Sequence, residues 1–528
     1  MALSTAAVSI TRGSVAHAGS IEPAPRPAVS LDPMLPDDPA SARDRTFASD
    51  AGPDPALAAP GFRRLTRDSL VYGLGTFSGK AVGLLLLPVL ARSLSRTDYG
   101  ILDVLWSLGT GIAGILVLGL DAAAVRLYFD DRIRDRAGLL GTWRTILVVT
   151  AVLSAVGLII VAPVIRDAVL GPRGDLGPVV AMALIVPASL SNAFVTTVLR
   201  TTGRPTAFAV VSVQTFVVYG IGVIGLAATG RATVTSTMAT WAVSLVFASG
   251  TGLILLRGTR FGPIGRENVA HLLRYGLPLA PVLAVTLASD FVQRAILLAG
   301  AGPAAVAALT VALRFASVLA LGVTAFQLAW QPRIFAMGTS ELALRRIALD
   351  CRRFLALASV GAIAVAIVMP AMVPLIVGQG YRDAVPTVGW CLAAAVVGAA
   401  YAMAISGSLI ARRPADVARS TTIGIAAGVI VNLALAPGFG SVGTGVALVT
   451  GQLVATAAAI LLSRRAQPFP GPWLWSGFAL AGASVACVVV TADGIDVAAK
   501  LLVTLAATGS VALDPMAREA VRLALGRR

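Results

Sequence analysis

The chain has 528 residues, of which 57% are hydrophobic and only 13% are charged, and its formal net charge is +16. Soluble domains carry about 25% charged residues, and a chain this long and apolar could not hide its hydrophobic residues inside one water-facing globule. The composition therefore excludes a soluble protein and indicates one that is embedded in a membrane.

Residues 1–62 differ in composition from the rest of the chain. They are rich in Ala, Pro, Asp and Ser and show no helical periodicity, which predicts a disordered N-terminal tail. No apolar stretch follows a basic start, so the tail does not resemble a signal peptide. A true start at Met34 or at a later site is an alternative, and we assign the tail no function.

Apolar segments follow one another from Ser69 almost to the end of the chain. Three of them, 145–165, 355–377 and 442–462, contain no charged residue, and each reaches the roughly 20 residues that a helix needs to cross a bilayer. The runs are continuous rather than alternating, which favours helices over barrel strands. We predict about fourteen spans: 69–90, 101–123, 144–165, 178–199, 205–228, 234–256, 272–298, 304–330, 354–378, 385–410, 418–436, 442–462, 472–491 and 495–513.

The arginines between these spans predict the orientation of the protein. With the N-terminus in the cytoplasm, the cytoplasmic segments carry 28 arginines and the external segments carry 6, as the positive-inside bias requires. This predicts that both termini are cytoplasmic. The same arginines explain the net charge as a topology signal, so we predict no nucleic-acid partner.

Several enzyme and metal chemistries have no support in the sequence. The only histidines are His17 and His271, and the three cysteines lie far apart, so neither forms a metal-ligand cluster. No Walker loop, HExxH or GxSxG motif is present. We therefore predict a protein that is not an enzyme and that has no metal site and no cofactor.

Aromatic residues fall near the predicted ends of the spans, where an amphipathic ring is favoured at the membrane interface. We expect these residues to anchor the protein at the interface rather than to bind a ligand. They are Tyr99, Trp106, Trp143, Trp330, Trp390, Trp473 and Trp475.

Lys80 lies near the middle of the first predicted span, Arg294 in the outer half of the seventh, and Arg314 near the middle of the eighth. Charges at membrane depth are costly and usually face a protein interior or an aqueous cavity. Arginine matches phosphate through its planar fork, and lysine acts as a point charge. We predict that the three line a cavity that binds an anion such as a lipid pyrophosphate, and that replacing any of them with Ala impairs transport without loss of the protein.

Three acids accompany these cations and leave an alternative open. Asp290 precedes Arg294 by four residues and so shares its helical face. In this alternative Asp290 and Arg294 neutralise each other as a structural pair, and Lys80 pairs with an acid such as Asp103. Asp103 and Asp121, toward opposite ends of the second span, are also candidates for ion coupling.

Three segments resemble bacterial polysaccharide-biosynthesis flippases, the oligosaccharide branch of the multidrug/oligosaccharidyl-lipid/polysaccharide (MOP) exporter superfamily. The first is GKAVGLLLLPVLARSLSRTDYGILDV at 79–104, in which Asp98, Tyr99 and Gly100 open the second span. The second is LLRYGLPLAPVLAVTLASDFVQRAILL at 272–298, continuing to RFASVLALGVTAFQLAWQPRIF at 314–335. The family commonly has Asp and Arg adjacent, whereas here three residues separate Asp290 from Arg294.

The third segment is VNLALAPGFGSVGTGVALVTGQLV at 431–454, which is similar to the family's turn between its eleventh and twelfth spans. The matching residues are Asn432, Pro437, Gly440 and Gly443. The segment GYRDAVPTV at 380–388 also resembles the external turn before the tenth span.

The resemblance implies an all-α membrane fold of two six-helix lobes, at 63–260 and 261–465, around a central cavity. Two extra transmembrane helices at 466–515 and a basic cytoplasmic tail at 516–528 would follow. It implies a flippase that moves an undecaprenyl-pyrophosphate-linked oligosaccharide across the bacterial cytoplasmic membrane for polysaccharide biosynthesis. Its partners would be that lipid-linked oligosaccharide, membrane lipids, and polysaccharide assembly proteins such as a polymerase and glycosyltransferases.

Three other functions stay open. A drug or cation antiporter of the same superfamily would use a deep acidic site, and a peptidoglycan lipid II flippase would share the fourteen-helix layout. A membrane glycan polymerase or ligase belongs to a different class. Such enzymes usually need a substantial external loop to hold their substrates, and the external loops predicted here are all short.

Overall fold

The computed structural model describes residues 78–79, 81–117, 119–130, 133, 135–277, 280–337, 341–411, 413–466 and 473–512. The predicted tails at 1–62 and 516–528 lie outside the described residues, and so does Lys80.

Throughout the described part of the chain, every regular element is helical. This confirms the predicted all-α fold. One 3₁₀ helix, Gln379–Ala384, lies between two α-helices. The α-helices are α1 Leu87–Ser93, α2 Arg96–Leu116, α3 Leu120–Tyr128, α4 Arg136–Val169, α5 Gly177–Thr201, α6 Pro205–Ala228, α7 Val234–Leu255, α8 Arg266–Gly276, α9 Ala280–Ala301, α10 Pro303–Met337, α11 Glu341–Ile376, α12 Val385–Ala404, α13 Ser406–Ile410, α14 Pro414–Ala466, α15 Trp473–Thr491 and α16 Val497–Ala512.

Ten helices in the described residues are long and apolar enough to cross a membrane, and shorter apolar helices occupy Ser476–Thr491 and Val497–Ser510. On α4, Val148, Leu153 and Ile160 are 56%, 66% and 70% exposed. Side chains of this kind are stable on an exposed helix face when that face contacts lipid rather than water. The protein is therefore a multi-pass membrane protein, and the total of fourteen spans stays a prediction.

The second predicted span, 101–123, contains two helices rather than one in the structure. In the second span, α2 ends at Leu116 and α3 begins after Gly119, whose φ is 65°. A left-handed residue ends a helix, and glycine adopts that conformation without steric cost. In the seventh span, α8 ends at Gly276 and α9 begins at Ala280, and residues 278–279 between them lie outside the described part of the chain.

Helix α2 positions the site because it packs against α9 and α10, which belong to the predicted second lobe, and also against α5. The approach to α10 is close at Gly100, where a Cβ atom would overlap the backbone carbonyl of Pro303. Glycine at this position therefore allows two backbones to come nearly into contact. The consequence is that the first three turns of α2 are held directly beside the beginning of α10.

Helix α14 consists of two helical arms that meet at Gly440, where φ is 56° and ψ is −135°. The turn falls where the Asn432, Pro437, Gly440 and Gly443 pattern predicted it. The arms approach so closely that a Cβ atom on Gly443 would lie 2.6 Å from the Leu435 carbonyl oxygen. The two arms pack against α9 and α12.

Asn432 connects both arms of α14 to α9 and gives a stability prediction. Its side chain is fully buried, its Nδ2 donates to the Gln293 carbonyl oxygen at 3.0 Å, and its Oδ1 accepts from Thr444 Oγ1 at 2.8 Å. We expect Asn432→Ala to lower the free energy of unfolding by about 1–3 kcal/mol, because the buried Thr444 hydroxyl loses its cross-arm acceptor.

The measurement is thermal unfolding of the purified protein in detergent. Thr444→Val in the Asn432→Ala background should cost much less than Thr444→Val alone, since the shared bond is already lost. Thr450→Val is the control, because Thr450 Oγ1 bonds only to Val446 O of its own helix. Additive effects of the two substitutions would contradict the prediction.

Candidate functional site

A buried ion pair joins α2 to α9. Arg294 Nε lies 2.5 Å from Asp103 Oδ2, and the two side chains are only 15% and 10% exposed. Arg294 Nη1 also donates to the backbone carbonyl of Asp290 at 2.9 Å. Both charged groups are largely removed from water. Burial of either one alone would be strongly destabilising, so each depends on the other.

This pairing differs from the structural alternative drawn from the sequence, in which Asp290 neutralises Arg294 and Asp103 pairs with Lys80. Asp290 is exposed and offers Arg294 its backbone oxygen, while Asp103 provides the carboxylate. Helical spacing places Asp290 on the same face as Arg294, but the buried partner comes from another helix 191 positions away in the chain.

Beside the ion pair lies a cavity of about 350 Å³ that Arg314 lines. Arg314 projects from α10, and its guanidinium packs against Gly83, where a Cβ atom would lie 2.6 Å from Nη1. The cavity is bounded by residues of the segment 79–86 and of α1, α2, α6, α7 and α10. They are Gly79, Val82, Gly83, Leu86, Leu90, Tyr99, Leu102, Asp103, Trp106, Phe216, Tyr219, Trp241 and Arg314.

The charge of this cavity is not balanced among the residues described. Asp103 lies in the electrostatic field of both Arg294 and Arg314, but it forms its hydrogen bond with Arg294. Within the described part of the chain, Arg314 makes no salt bridge. An unpaired cation in a membrane-embedded wall is costly, so the arrangement suits a ligand that brings a negative charge.

The six residues singled out in the sequence separate into two groups. Asp103, Arg294 and Arg314 come together at the cavity, and Asp290 joins them through its backbone. Asp121 does not, because it lies in the first turn of α3, which packs against α8 at the other end of the bundle. Lys80 follows the cavity-lining Gly79 in sequence but lies outside the described residues.

Aromatic rings line one side of the cavity, and sequence reasoning did not assign them there. The aromatic wall consists of Trp106, Phe216, Tyr219 and Trp241 from α2, α6 and α7. Its ring centroids lie 4.7 Å apart for Trp106–Trp241, 5.1 Å for Tyr219–Trp241, and 5.6 Å for both Trp106–Tyr219 and Phe216–Trp241.

The expectation that the tryptophans and Tyr99 anchor the membrane interface was wrong for several of them. Tyr99, Trp143 and Trp330 are 3%, 1% and 3% exposed, so they lie in the protein core. Trp106 belongs to the aromatic wall. Position near a span end does not distinguish a ring that faces lipid from one that faces the protein.

Polar contacts around Arg96, which we call the Arg96 clasp, lie next to Tyr99 of the cavity lining. Arg96 forms an ion pair with Asp383, donates from Nη1 to the Gly380 carbonyl at 2.9 Å, and donates from Nε to the Ala304 carbonyl at 3.3 Å. The rings of Tyr99 and Tyr381 meet edge to face at 6.4 Å below it. The clasp thus ties α2 to the beginning of α10 and to the 3₁₀ helix.

A second cavity, of about 470 Å³, lies between α12, α14 and α15 and is almost wholly apolar. We call it the apolar groove. Val397, Leu453, Leu480 and Val485 are typical of its lining.

The family of the protein follows from the sequence that builds this site. A family model described as "Polysaccharide biosynthesis protein" matches residues 65–337, just over half of the chain, including both α2 and α10 up to its last residue. The chain belongs to the polysaccharide biosynthesis protein family. The resemblance seen in the three sequence segments is thereby confirmed.

Solved structures similar to this polysaccharide biosynthesis protein are transporters and flippases of the MOP superfamily. A lipid II flippase, MurJ, in an inward closed conformation matches with a TM-score of 0.62 at 10% identity, covering 83% of this chain and 97% of its own. A multidrug resistance MATE family transporter in an inward-facing conformation matches with a TM-score of 0.59 at 15% identity, covering 76% and 97%.

A MOP superfamily transporter from Pyrococcus furiosus, which is described by the reverse polarity of its binding pocket, matches with a TM-score of 0.56 at 13% identity. The match covers 76% of this chain and 95% of that transporter. At these identities the likeness shows the fold of this polysaccharide biosynthesis protein. A comparison with curated protein sequences finds no match.

Proposed function

We propose that the protein is a flippase that carries an undecaprenyl-pyrophosphate-linked oligosaccharide across the bacterial cytoplasmic membrane. The observation that carries the proposal is Arg314, a cation without a salt-bridge partner among the described residues, in the wall of a cavity inside a multi-pass membrane protein. A pyrophosphate is the anion that most needs such shielding while its lipid tail crosses in the bilayer. A guanidinium binds phosphate oxygens through two parallel N–H groups.

We propose that the two predicted lobes, 63–260 and 261–465, alternate between an inward-open and an outward-open arrangement. The distribution of arginines supports an orientation in which the Arg96 clasp lies at the external side. In the described structure the clasp is formed, so a substrate entering from the inner leaflet would leave only after the clasp separates.

The polyprenyl tail would occupy the apolar groove. The groove borders α15, which belongs to the predicted extra helices at 466–515. Its apolar lining offers a hydrocarbon chain dispersion contacts without the need to desolvate polar groups. In this arrangement the cavity holds the charged head group and the groove holds part of the tail.

The cavity is less suited to the alternative function, a drug or cation antiporter. An antiporter of organic cations needs an acid free to attract them, whereas Asp103 is already paired with Arg294. Arg314 would add repulsion to any cation that enters.

Replacement of Arg314 with Ala tests the proposal. We expect it to reduce surface polysaccharide by about 10- to 100-fold, because charge-assisted hydrogen bonds to the pyrophosphate are lost. Arg314→Lys should retain part of the activity, since lysine keeps the charge but not the fork. The measurement is immunoblotting of surface polymer together with the amount of the protein in the membrane.

Arg419→Ala is the matched control, because its side chain is 69% exposed and pairs with Asp416 on the preceding turn of the same helix. Normal polymer in the Arg314→Ala strain, at normal protein abundance, would contradict the proposed function.

A further inference from the structure

The aromatic wall is more than hydrophobic packing, because its polar atoms are not used by the protein. Trp241 is 8% exposed, and its buried Nε1 has no hydrogen-bond partner among the described residues. The hydroxyl groups of Tyr99 and Tyr219 also make no hydrogen bond within the described part of the chain, although both side chains line the cavity. Most buried polar side-chain atoms in proteins are paired, so the unpaired Trp241 Nε1, together with two tyrosine side chains that line the same cavity, points to a ligand.

The surfaces that meet here match one class of molecule. The indole rings of Trp106 and Trp241 contribute apolar surface to the cavity lining, and the tyrosine hydroxyls provide donors and acceptors beside it. A pyranose ring has this same combination, with an apolar face of C–H groups and a rim of hydroxyls. The cavity volume of about 350 Å³ lies in the range of small-molecule sites.

The position of the wall relative to Arg314 narrows the inference further. In a lipid-linked oligosaccharide the first sugar is bonded directly to the pyrophosphate, so a site for it must adjoin the site for the phosphates. Arg314 from α10 and the wall from α2, α6 and α7 border the same cavity. The predicted first lobe would thus hold the sugar, and the predicted second lobe would hold the charge.

We propose that the aromatic wall is the subsite for the sugar next to the pyrophosphate, with ring stacking on Trp106 and Trp241 and hydrogen bonds from Tyr99 and Tyr219. This rests on the proposed function. An organic cation would also stack on these rings, but it would meet Arg314. The lipid tail would bury Arg314 and Asp103 against hydrocarbon, and the apolar groove accommodates it without that cost.

The test compares two probes that differ only in the sugar. One is undecaprenyl pyrophosphate, and the other is the lipid-linked oligosaccharide extracted from cells that lack the gene. Binding is measured by the concentration of each probe that stabilises the purified protein in nanodiscs against heat. Trp106→Leu removes a ring face, while Tyr219→Phe removes only a hydroxyl and preserves the packing against Trp241.

We expect both variants to bind the oligosaccharide form about three- to tenfold more weakly and undecaprenyl pyrophosphate as the unaltered protein does. Arg314→Ala should weaken the binding of both probes. Trp143→Phe is the control, because Trp143 packs against Phe194 at 4.9 Å in a separate cluster. It should change neither affinity.

Unchanged affinity for the oligosaccharide form in both variants would overturn the sugar subsite. An equal loss of affinity for the two probes would overturn it as well. In either case the proposed flippase could still stand, provided that the unaltered protein binds both lipids. If the unaltered protein is stabilised by tetraphenylphosphonium and by neither lipid, the proposed function fails, and the subsite fails with it.

Discussion

Asp103→Asn is expected to destabilise the protein by about 3–5 kcal/mol, because Arg294 would keep its charge in a buried position without its carboxylate. The Arg294 and Asp103 side chains are only 15% and 10% exposed, so they have little contact with water to compensate for the lost partner. Arg294→Gln should be destabilising for the same reason. The measurement is the unfolding temperature of the purified protein, with its abundance in membranes as a second readout.

The double variant Asp103→Asn/Arg294→Gln is expected to recover most of the lost stability, since two neutral amide side chains remain and no charge is left alone. Asp383→Asn is the matched control. It breaks an ion pair with Arg96 in which the acid is 56% exposed, and a pair of that kind contributes about 0–1 kcal/mol. A double variant as unstable as the single variants would contradict a simple pairing role.

This expectation changes how the cavity cations are to be tested. The sequence predicted that loss of Lys80, Arg294 or Arg314 impairs transport while the protein remains in the membrane. For Arg294 the structure predicts loss of stability as well, since Asp103 would then be buried alone. Arg314, which has no such partner in the described residues, is the cation whose replacement separates substrate binding from folding.

Gly100→Ala is expected to prevent closure at the Arg96 clasp. A Cβ atom there would overlap the carbonyl of Pro303, and a backbone group cannot rotate away as a side chain can. Overpacking of this kind typically costs 1–3 kcal/mol, which α2 and α10 avoid by separating at this end. We expect the population with an accessible cavity to increase.

Labelling of a cysteine at Leu102, which lines the cavity, measures that population with a membrane-impermeant maleimide. The native Cys351, Cys391 and Cys487 are buried, so the background should be low. Gly157→Ala is the control, because nothing lies within 4 Å of a Cβ atom at that position. Equal labelling in the Gly100→Ala and Gly157→Ala proteins would refute the expectation.

Local signals in the sequence predicted helices, turns and buried charges better than they predicted which side chains of different helices contact one another. The Asn432–Gly443 pattern predicted a turn, and Gly440 provides it with a positive φ. Arg294 and Arg314 were identified because a charged residue inside an apolar segment is energetically costly and is easily recognised in the sequence. The Asp103–Arg294 pair was not predictable in this way, because nothing local connects residues 191 positions apart.

The aromatic wall and the broken spans show two other limits. Trp106, Tyr219 and Trp241 come from three helices, and each one alone resembles an ordinary core or interface residue. Gly119, whose φ is 65°, ends the helix inside a long apolar run, and hydrophobicity alone decided the bounds of that predicted span. Apolar length determines where a chain crosses a membrane, whereas the backbone preferences of single residues determine where the helix within it ends.

The polar contacts between α2 and its neighbours are graded in strength along the helix. At the Arg96 clasp the ion pair is partly exposed, and the other acceptors are backbone carbonyls. Seven residues further along, about 10 Å deeper, the Asp103–Arg294 pair is buried. Separating the helices at the clasp therefore costs much less free energy than separating them at Asp103, so we expect the first turns of α2 to move away from α10 while the Asp103–Arg294 pair stays intact.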